Sequence, residues 1–353
     1  MFRFIVIALM VLAVSSIAAE LVFNEAWNYT DNPLGNSDGE SSVNCVLELP
    51  GGDILSVGYK SSMYNGGYVE YPLVVRHTST GEIVWGNVYV LSEIQASRTR
   101  AIYAKLLNNG EVFIGCTSLD NGWGAYKMTI NPGTAQVSSH HLFYSVPVNY
   151  CANPATGTFH TYRNRGSGSS AYIEISQYST TGQPMGDPVN VATVGTANSV
   201  KYLVACGDGG YLLAGSRGSD GLLVRFNSSM QIVWEETYSG DGMGTQMLNQ
   251  AVQTSAGEIF AVGKDDGEGF ILCATYTGNV VWQQVGGSGE YNGVCETADG
   301  NLAAVGAYAT PHNPRNYLVL YTSSGEFLFT HSSFDHYGWY QSVAKAGTHG
   351  FVA

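Results

Sequence analysis

Three groups of side chains in this 353-residue chain could carry chemistry, and they point in different directions. The aromatics Tyr64, Tyr68, Trp123, Tyr126, Tyr308 and Trp339 fall in or beside polar, glycine-rich stretches, and Asp120, Asp241 and Asp335 lie in stretches of the same kind. Flat aromatic faces beside acidic hydrogen-bonding groups suit a sugar ring or another protein's surface. The run Asp265-Asp266-Gly267-Glu268 gathers hard oxygen ligands and invites a Ca2+ reading. It is shorter than an EF-hand-type loop and lacks that loop's terminal bidentate Glu, so a solvated turn is the competing account. His140 and His141 are neighbours, which on a strand sends them to opposite faces and away from a shared metal. No other metal or cofactor is expected.

Hydrolytic signatures are missing from the sequence. It contains no Gly-x-Ser-x-Gly elbow, no His-Glu-x-x-His pair and no Ser-x-Asp-x-Gly-x-Thr-Trp box. Carboxylates distant in sequence can still meet in a fold, so a glycan-active hydrolase or lyase stays as the alternative to a non-catalytic binding protein. With 28 acidic against 15 basic residues, net charge −13, the chain lacks the electrostatic footprint of nucleic-acid binding. The cysteines Cys45, Cys116, Cys151, Cys206, Cys273 and Cys295 are even in number but spread over inconsistent positions. They are expected as buried thiols with at most one or two disulfides. Asn28-Tyr-Thr30 and Asn227-Ser-Ser229 are glycosylation acceptors if the host is eukaryotic.

The elements that must position these residues are legible as a repeat. The stretch Gly209-Gly-Tyr-Leu-Leu-Ala-Gly215 recurs as 52–58, 110–115, 257–263 and 300–306, with a weaker copy at 157–162 and a partial one at 350–353. The spacing, from about 43 to 58 residues, is that of propeller blades or solenoid coils. Each unit reads as four short strands, a to d, bounded by Gly, Asn, Asp and Ser; in one unit these are 199–206, 211–214, 222–226 and 232–238. No stretch shows a sustained helical period. With 44 Gly and 23 Tyr and only 12% charged residues, the composition is all-β. Four-stranded sheets repeated around an axis form a propeller.

Blades are expected at about 40–94, 95–147, 148–195, 196–242, 243–289 and 290–336, with 337–353 joined by 20–30 as a closing seventh. That closure removes an exposed sheet edge, but its strand c is missing from the sequence. The alternative is six full blades plus an incomplete one from a chain cut short at Ala353. Residues 1–19 read as a secretory signal peptide: Arg3, an apolar run from Phe4 to Val14, then small residues before Glu20. No other run approaches a membrane span. Residues 20–353 are then one secreted, monomeric domain.

Trp85, Trp234 and Trp282 occupy one repeat position, where Phe329 stands in the next unit. Large rings at a fixed outer-strand site fill the wedge between blades. The spacing Thr-Gly-x-x-x-Trp at 80–85 and 277–282 resembles the tryptophan-docking repeat of quinoprotein-type (PQQ-like) propellers. The Gly-Gly-Tyr-Leu-Leu-Ala-Gly pattern looks more like non-catalytic propeller repeats of secreted and surface proteins. The likeness implies fold and blade packing, not an activity. His77, Phe226 and Ala274 stand where the quinoprotein motif has Asp, and no two cysteines are adjacent. Both departures argue against a bound quinone.

Strand alternation puts the b–c and d–a connections on one face and the a–b and c–d turns on the other. The b–c/d–a set reads as longer, more varied and richer in aromatics, so it is the expected ligand face. The resulting reading is a non-catalytic recognition or scaffold propeller for a glycan or an extracellular protein. A structural part of a larger surface protein is the third reading.

Overall fold

The computed structural model describes residues 7–10, 24–28, 41–64, 67–90, 98–118, 124–144, 149–166, 172–192, 198–239, 244–308, 315–337, 340–346 and 350–352. Every regular element among them is a strand. The chain divides into two compact bodies, 1–159 with 178–185 and 344–353, and 160–177 with 186–343.

The first body holds two complete repeats. β3 (Ser41–Glu48), β4 (Ile54–Tyr64), β5 (Gly67–His77) and β6 (Ile83–Val88) form one antiparallel sheet in chain order. β7 (Thr99–Leu106), β8 (Val112–Ser118), β9 (Gly124–Ile130) and β10 (Val137–Tyr144) form the next. Leu55, Val57 and Val74 of the first pack on Val112, Ile114, Met128 and Ile130 of the second. β11 (Asn149–Ala152) also belongs here, with Tyr150 and Ala152 against Phe113.

The chain ends close a small sheet in the first body. β1 (Ile7–Met10), β2 (Asn24–Asn28), β26 (Ala344–Ala346) and β27 (Gly350–Val352) stand in the order β2-β1-β27-β26, all antiparallel. The strand c that the sequence reading found missing is Ile7–Met10, from within the segment expected to be a leader. A leader and a strand can both be short apolar runs.

The second body holds β12 (Phe159–Arg165) and β13 (Tyr172–Tyr178) of the third repeat, apart from Phe159 and Tyr178, together with β14 (Val189–Ala192). β15 (Asn198–Ala205), β16 (Tyr211–Arg217), β17 (Asp220–Phe226) and β18 (Ile232–Tyr238) form a complete sheet. A seven-stranded sheet follows: β19 (Gln246–Gln253), β20 (Ile259–Asp265), β21 (Glu268–Ala274), β22 (Val280–Glu296), β23 (Leu302–Tyr308), β24 (Arg315–Tyr321) and β25 (Phe327–Tyr337). Its 17-residue strand β22 pairs with β21 along its first part and with β23 along its second, so it is strand d of one repeat and strand a of the next. Six consecutive four-strand repeats therefore run from Ser41 to Tyr337 among the described residues.

The repeat glycines have two separate physical causes. The first, at Gly52, Gly110, Gly209, Gly257 and Gly300, has φ between +80° and +89° in the a–b turn, a conformation that costs other residues. The second, at Gly58, Gly215, Gly263 and Gly306, lies in strand b opposite a bulge in strand a. A Cβ there would come within 1.6, 2.1, 1.7 and 1.9 Å of a backbone carbonyl oxygen of strand a. In the second repeat the bulge register runs Ala101 to Cys116, so Cys116 and not Gly115 holds this position. The bulge skips Asn44, Ile102, Lys201, Asn249 and Asn292, each eight residues before its turn glycine.

Candidate functional site

The two ends of the strands differ. On the a–b/c–d side, turns are closed by short backbone bonds such as Gly81 N–H to the Thr78 carbonyl at 3.0 Å, and by hydroxyl pairs such as Thr275 with Thr277 at 2.9 Å. These turns also receive the repeat tryptophans. Trp85 Nε1 donates to the Pro132 carbonyl at 3.0 Å, Trp234 Nε1 to that of Tyr276 at 3.0 Å, and Trp282 Nε1 to that of Ser323 at 2.9 Å. Each acceptor lies in the c–d turn of the following repeat. Phe329 lies half-buried in β25 opposite Leu320.

A second stitch was missed by sequence reasoning. The bulge residues Asn44, Asn249 and Asn292 donate Nδ2 to the carbonyls of Ala101, Tyr291 and Tyr340 at 2.8, 2.8 and 3.0 Å. The signal was available: Asn stands eight residues before the turn glycine in three repeats.

Among the described residues on the b–c/d–a side, two connections are shorter than expected. β16 and β17 pair out to Arg217 opposite Asp220, and β20 and β21 out to Asp265 opposite Glu268, so both hairpins close through two residues. Asp266 and Gly267 hold φ of +46° and +89°, the backbone of a tight hairpin turn. The Asp265 carboxylate is buried and accepts from Gln246 Nε2 at 2.5 Å, while Asp266 and Glu268 are exposed. Among the described residues no three His, Cys, Asp or Glu side chains stand close enough to hold a metal ion.

The β4–β5 hairpin differs from these two in strand length. Its strands have eleven residues each, where strands b and c of the other repeats have seven. Where the surplus begins, Glu70 is 5% exposed and takes a bidentate pair from Arg100, with Nε to Oε2 at 2.5 Å and Nη2 to Oε1 at 2.7 Å. Arg98 Nη2 adds a third bond to Oε1 at 3.2 Å. Burial alone would raise the Glu70 carboxyl, but the two guanidinium groups hold it below its ordinary value. The Arg100 guanidinium also lies over the Tyr59 ring, 4.1 Å from its centroid. A planar fork stacked and bidentate at once is a rigid anchor.

That anchor fixes the base of the hairpin carrying two of the sequence-selected aromatics. By backbone register Tyr64 stands opposite Gly67 and Tyr68 opposite Met63. Tyr308 is the last residue of β23, opposite Arg315, and Asp335 lies within β25. Tyr126 is misplaced by the sequence reading. It is 1% exposed within the apolar cluster of the first body and offers no ring to a rim. Asp120, Trp123, Asp241 and Trp339 lie outside the described residues.

Elsewhere on this side Glu174 accepts from Arg163 Nε at 2.6 Å and Arg165 Nε at 3.1 Å, and Glu235 pairs with Arg217. Asn227 caps its own turn, accepting from the N–H groups of Ser229 and Gln231 at 3.0 Å each. Asn28 ends β2, opposite Ile7. The six cysteines carry no disulfide, and all but Cys45 are buried. Burial pushes the Cys206 and Cys273 thiols up to about 11 and about 12, so they are unreactive near neutrality.

No family model matches the sequence, and no curated protein does. Solved structures do. The Dos1 propeller aligns over 89% of this chain and 94% of its own, with 8% identity and a TM-score of 0.53. The C-terminal WD40 domain of Sif2 aligns over 89% and 96%, with 12% identity and a TM-score of 0.51. Chaetomium thermophilum Sqt1, bound to the N-terminus of ribosomal protein L10, aligns over 86% and 77%, with 12% identity and a TM-score of 0.52. At these identities the likeness is one of fold: the chain is an all-β propeller of four-stranded antiparallel blades.

Proposed function

We propose that this propeller is a non-catalytic scaffold that binds another protein through its b–c/d–a side, with the β4–β5 hairpin as the projecting element. The observation that carries this is the Glu70 anchor. A hairpin longer than its counterparts, pinned at its base by three charge-assisted bonds, presents a preorganised edge, and preorganisation lowers the entropic cost of binding. The Sqt1 propeller, crystallised on a protein N-terminus, supports a protein partner over a glycan. The terminal sheet serves as the seventh blade in this reading. Residues 1–19 act as a leader that sends the chain out of the cell, where the partner is met, and on its removal that blade keeps β2, β27 and β26 without β1.

The test is binding of the purified chain to paired arrays of extracellular proteins and glycans. Specific protein binding that falls about tenfold or more in Tyr64→Ala or Tyr68→Ala supports the reading. Binding confined to glycans, or turnover of a bound glycan, replaces it with the lectin or hydrolase alternative.

A further inference from the structure

Six of the nine large apolar residues that stand exposed among the described ones lie on the second body: Ile232, Val233, Tyr276, Val280, Val281 and Phe327. All but Tyr276, which lies in the turn before β22, recur at one place in the repeat, on strand d beside the tryptophan position. Ile232 and Val233 are 46% and 55% exposed, and Val280 and Val281 48% and 51%; Val233 and Val281 are the extra residues of a bulge at the start of their strands. Isolated exposed apolar residues need no explanation, but a recurring row does.

β18 is also a sheet edge, pairing with β17 on one side only. Natural edges are blunted by charged residues, above all Lys, by Pro, by a β-bulge or by a covering element. The sequence of β18, Ile-Val-Trp-Glu-Glu-Thr-Tyr, has neither Lys nor Pro. Its charges are Glu235 and Glu236, both exposed, and Glu326 lies exposed beside Phe327. Local cations are already engaged: Arg217 is paired with Glu235, and Arg225 is buried and held by Asp208. The bulge at Val233 interrupts only the start of β18, so the edge from Trp234 to Tyr238 is regular, acidic and open for backbone pairing.

From these features we infer that β18 is a docking edge for an extended protein segment alternating apolar residues with Lys or Arg, which adds to the sheet as a further strand. Strand addition supplies main-chain hydrogen bonds, and alternate side chains supply specificity. Charge decides between occupants. A second copy would set Glu236 against Glu236, and an anionic lipid surface would be repelled, whereas a basic segment meets Glu236 beside the Arg217–Glu235 pair. This surface is independent of the β4–β5 hairpin, so either assignment can fail without the other.

The probe is a short fluorescent peptide alternating Lys and Val, titrated onto the full chain, with a twin carrying Glu in place of Lys and a backbone N-methylated form. The Lys–Val peptide is expected to bind and the other two to bind at least about tenfold more weakly. Val233→Ser and Glu236→Lys each weaken binding about tenfold, while Val84→Ser, at the matching place in the first body, leaves it unchanged. Glu236→Lys spares the Arg217–Glu235 pair, and circular dichroism verifies its fold. Equal binding of the Glu–Val twin or the N-methylated form overturns the inference. So does insensitivity to both variants, self-association that Glu236→Lys enhances or abolishes, or adsorption to phosphatidylcholine vesicles that Val233→Ser removes.

Discussion

The indole of Trp282 lies on the α-carbon of Gly325, so that a Cβ at 325 would come within 2.7 Å of the ring. The same indole donates Nε1–H to the carbonyl of Ser323, two residues earlier in the same turn. Trp234 repeats the arrangement with Gly278 and Tyr276. The repeat motif thus closes on its neighbour: the turn glycine of one unit is the seat for the tryptophan of the unit before.

Gly325→Ala should reveal this coupling. It carries a clash with Trp282 in addition to the cost of φ +87°, whereas Gly300, at φ +80°, has open space around its missing Cβ. Urea titrations are expected to show a loss of about 2–4 kcal/mol at Gly325 against about 1–2 kcal/mol at Gly300. Equal losses would mean the indole contact contributes nothing.

Stability should fall on mild acidification because of buried histidines. His160 is 1% exposed with its ring edge-on to Tyr211, and burial lowers its pKa to about 4; His77 is likewise buried and lowered to about 4. In the unfolded chain both titrate near 6.5. The native state then binds fewer protons than the unfolded one, so this stability is complete above about pH 6.5 and is lost as pH falls toward about 4. His160→Phe should flatten the dependence over that window, as read by chemical denaturation at a series of pH values. An unchanged slope would show that His160 titrates normally.

Much of this molecule could be read from its glycines and tryptophans, because those residues answer to local geometry that repeats. A turn at positive φ needs Gly wherever it occurs, and an inter-blade wedge needs a large ring. The features that escaped depend on which neighbour a residue meets. Tyr126 looked like a loop aromatic because Gly122 and Gly124 precede it, yet two residues into β9 it already faces the core. Lys264, Asp265 and Glu268 looked like a long polar loop but are the ladder ends of a hairpin, whose polar side chains are satisfied by pairs such as Gln246 with Asp265. The Glu70 anchor joins residues 30 positions apart, and no spacing rule marks it.

Glu70→Gln should loosen the hairpin without unfolding the chain. Removing one buried carboxylate leaves two guanidinium groups facing each other, a cost of about 2 kcal/mol once their partial exposure is allowed for. Hydrogen exchange is expected to speed up across Ser61–Val69 while amides of β16 and β20 keep their protection. Uniform acceleration would make Glu70 a global stabiliser and not a local anchor.

Ile7–Met10 occupies the strand between β27 and β2. Chain lacking residues 1–19 should therefore exchange the amides of Gly350–Val352 faster than the full chain, by about tenfold or more. Equal protection would show that another segment fills the gap once residues 1–19 are gone.

The central claim is that a protein partner is met by the β4–β5 hairpin. A photo-crosslinking amino acid placed at position 64 or 68, with position 109 or 301 on the opposite turns as controls, tests it most directly in the native milieu. The account predicts one discrete protein adduct from positions 64 and 68 and none from the controls. Adducts from 109 or 301 alone, or none from any position while a glycan is retained, would contradict it.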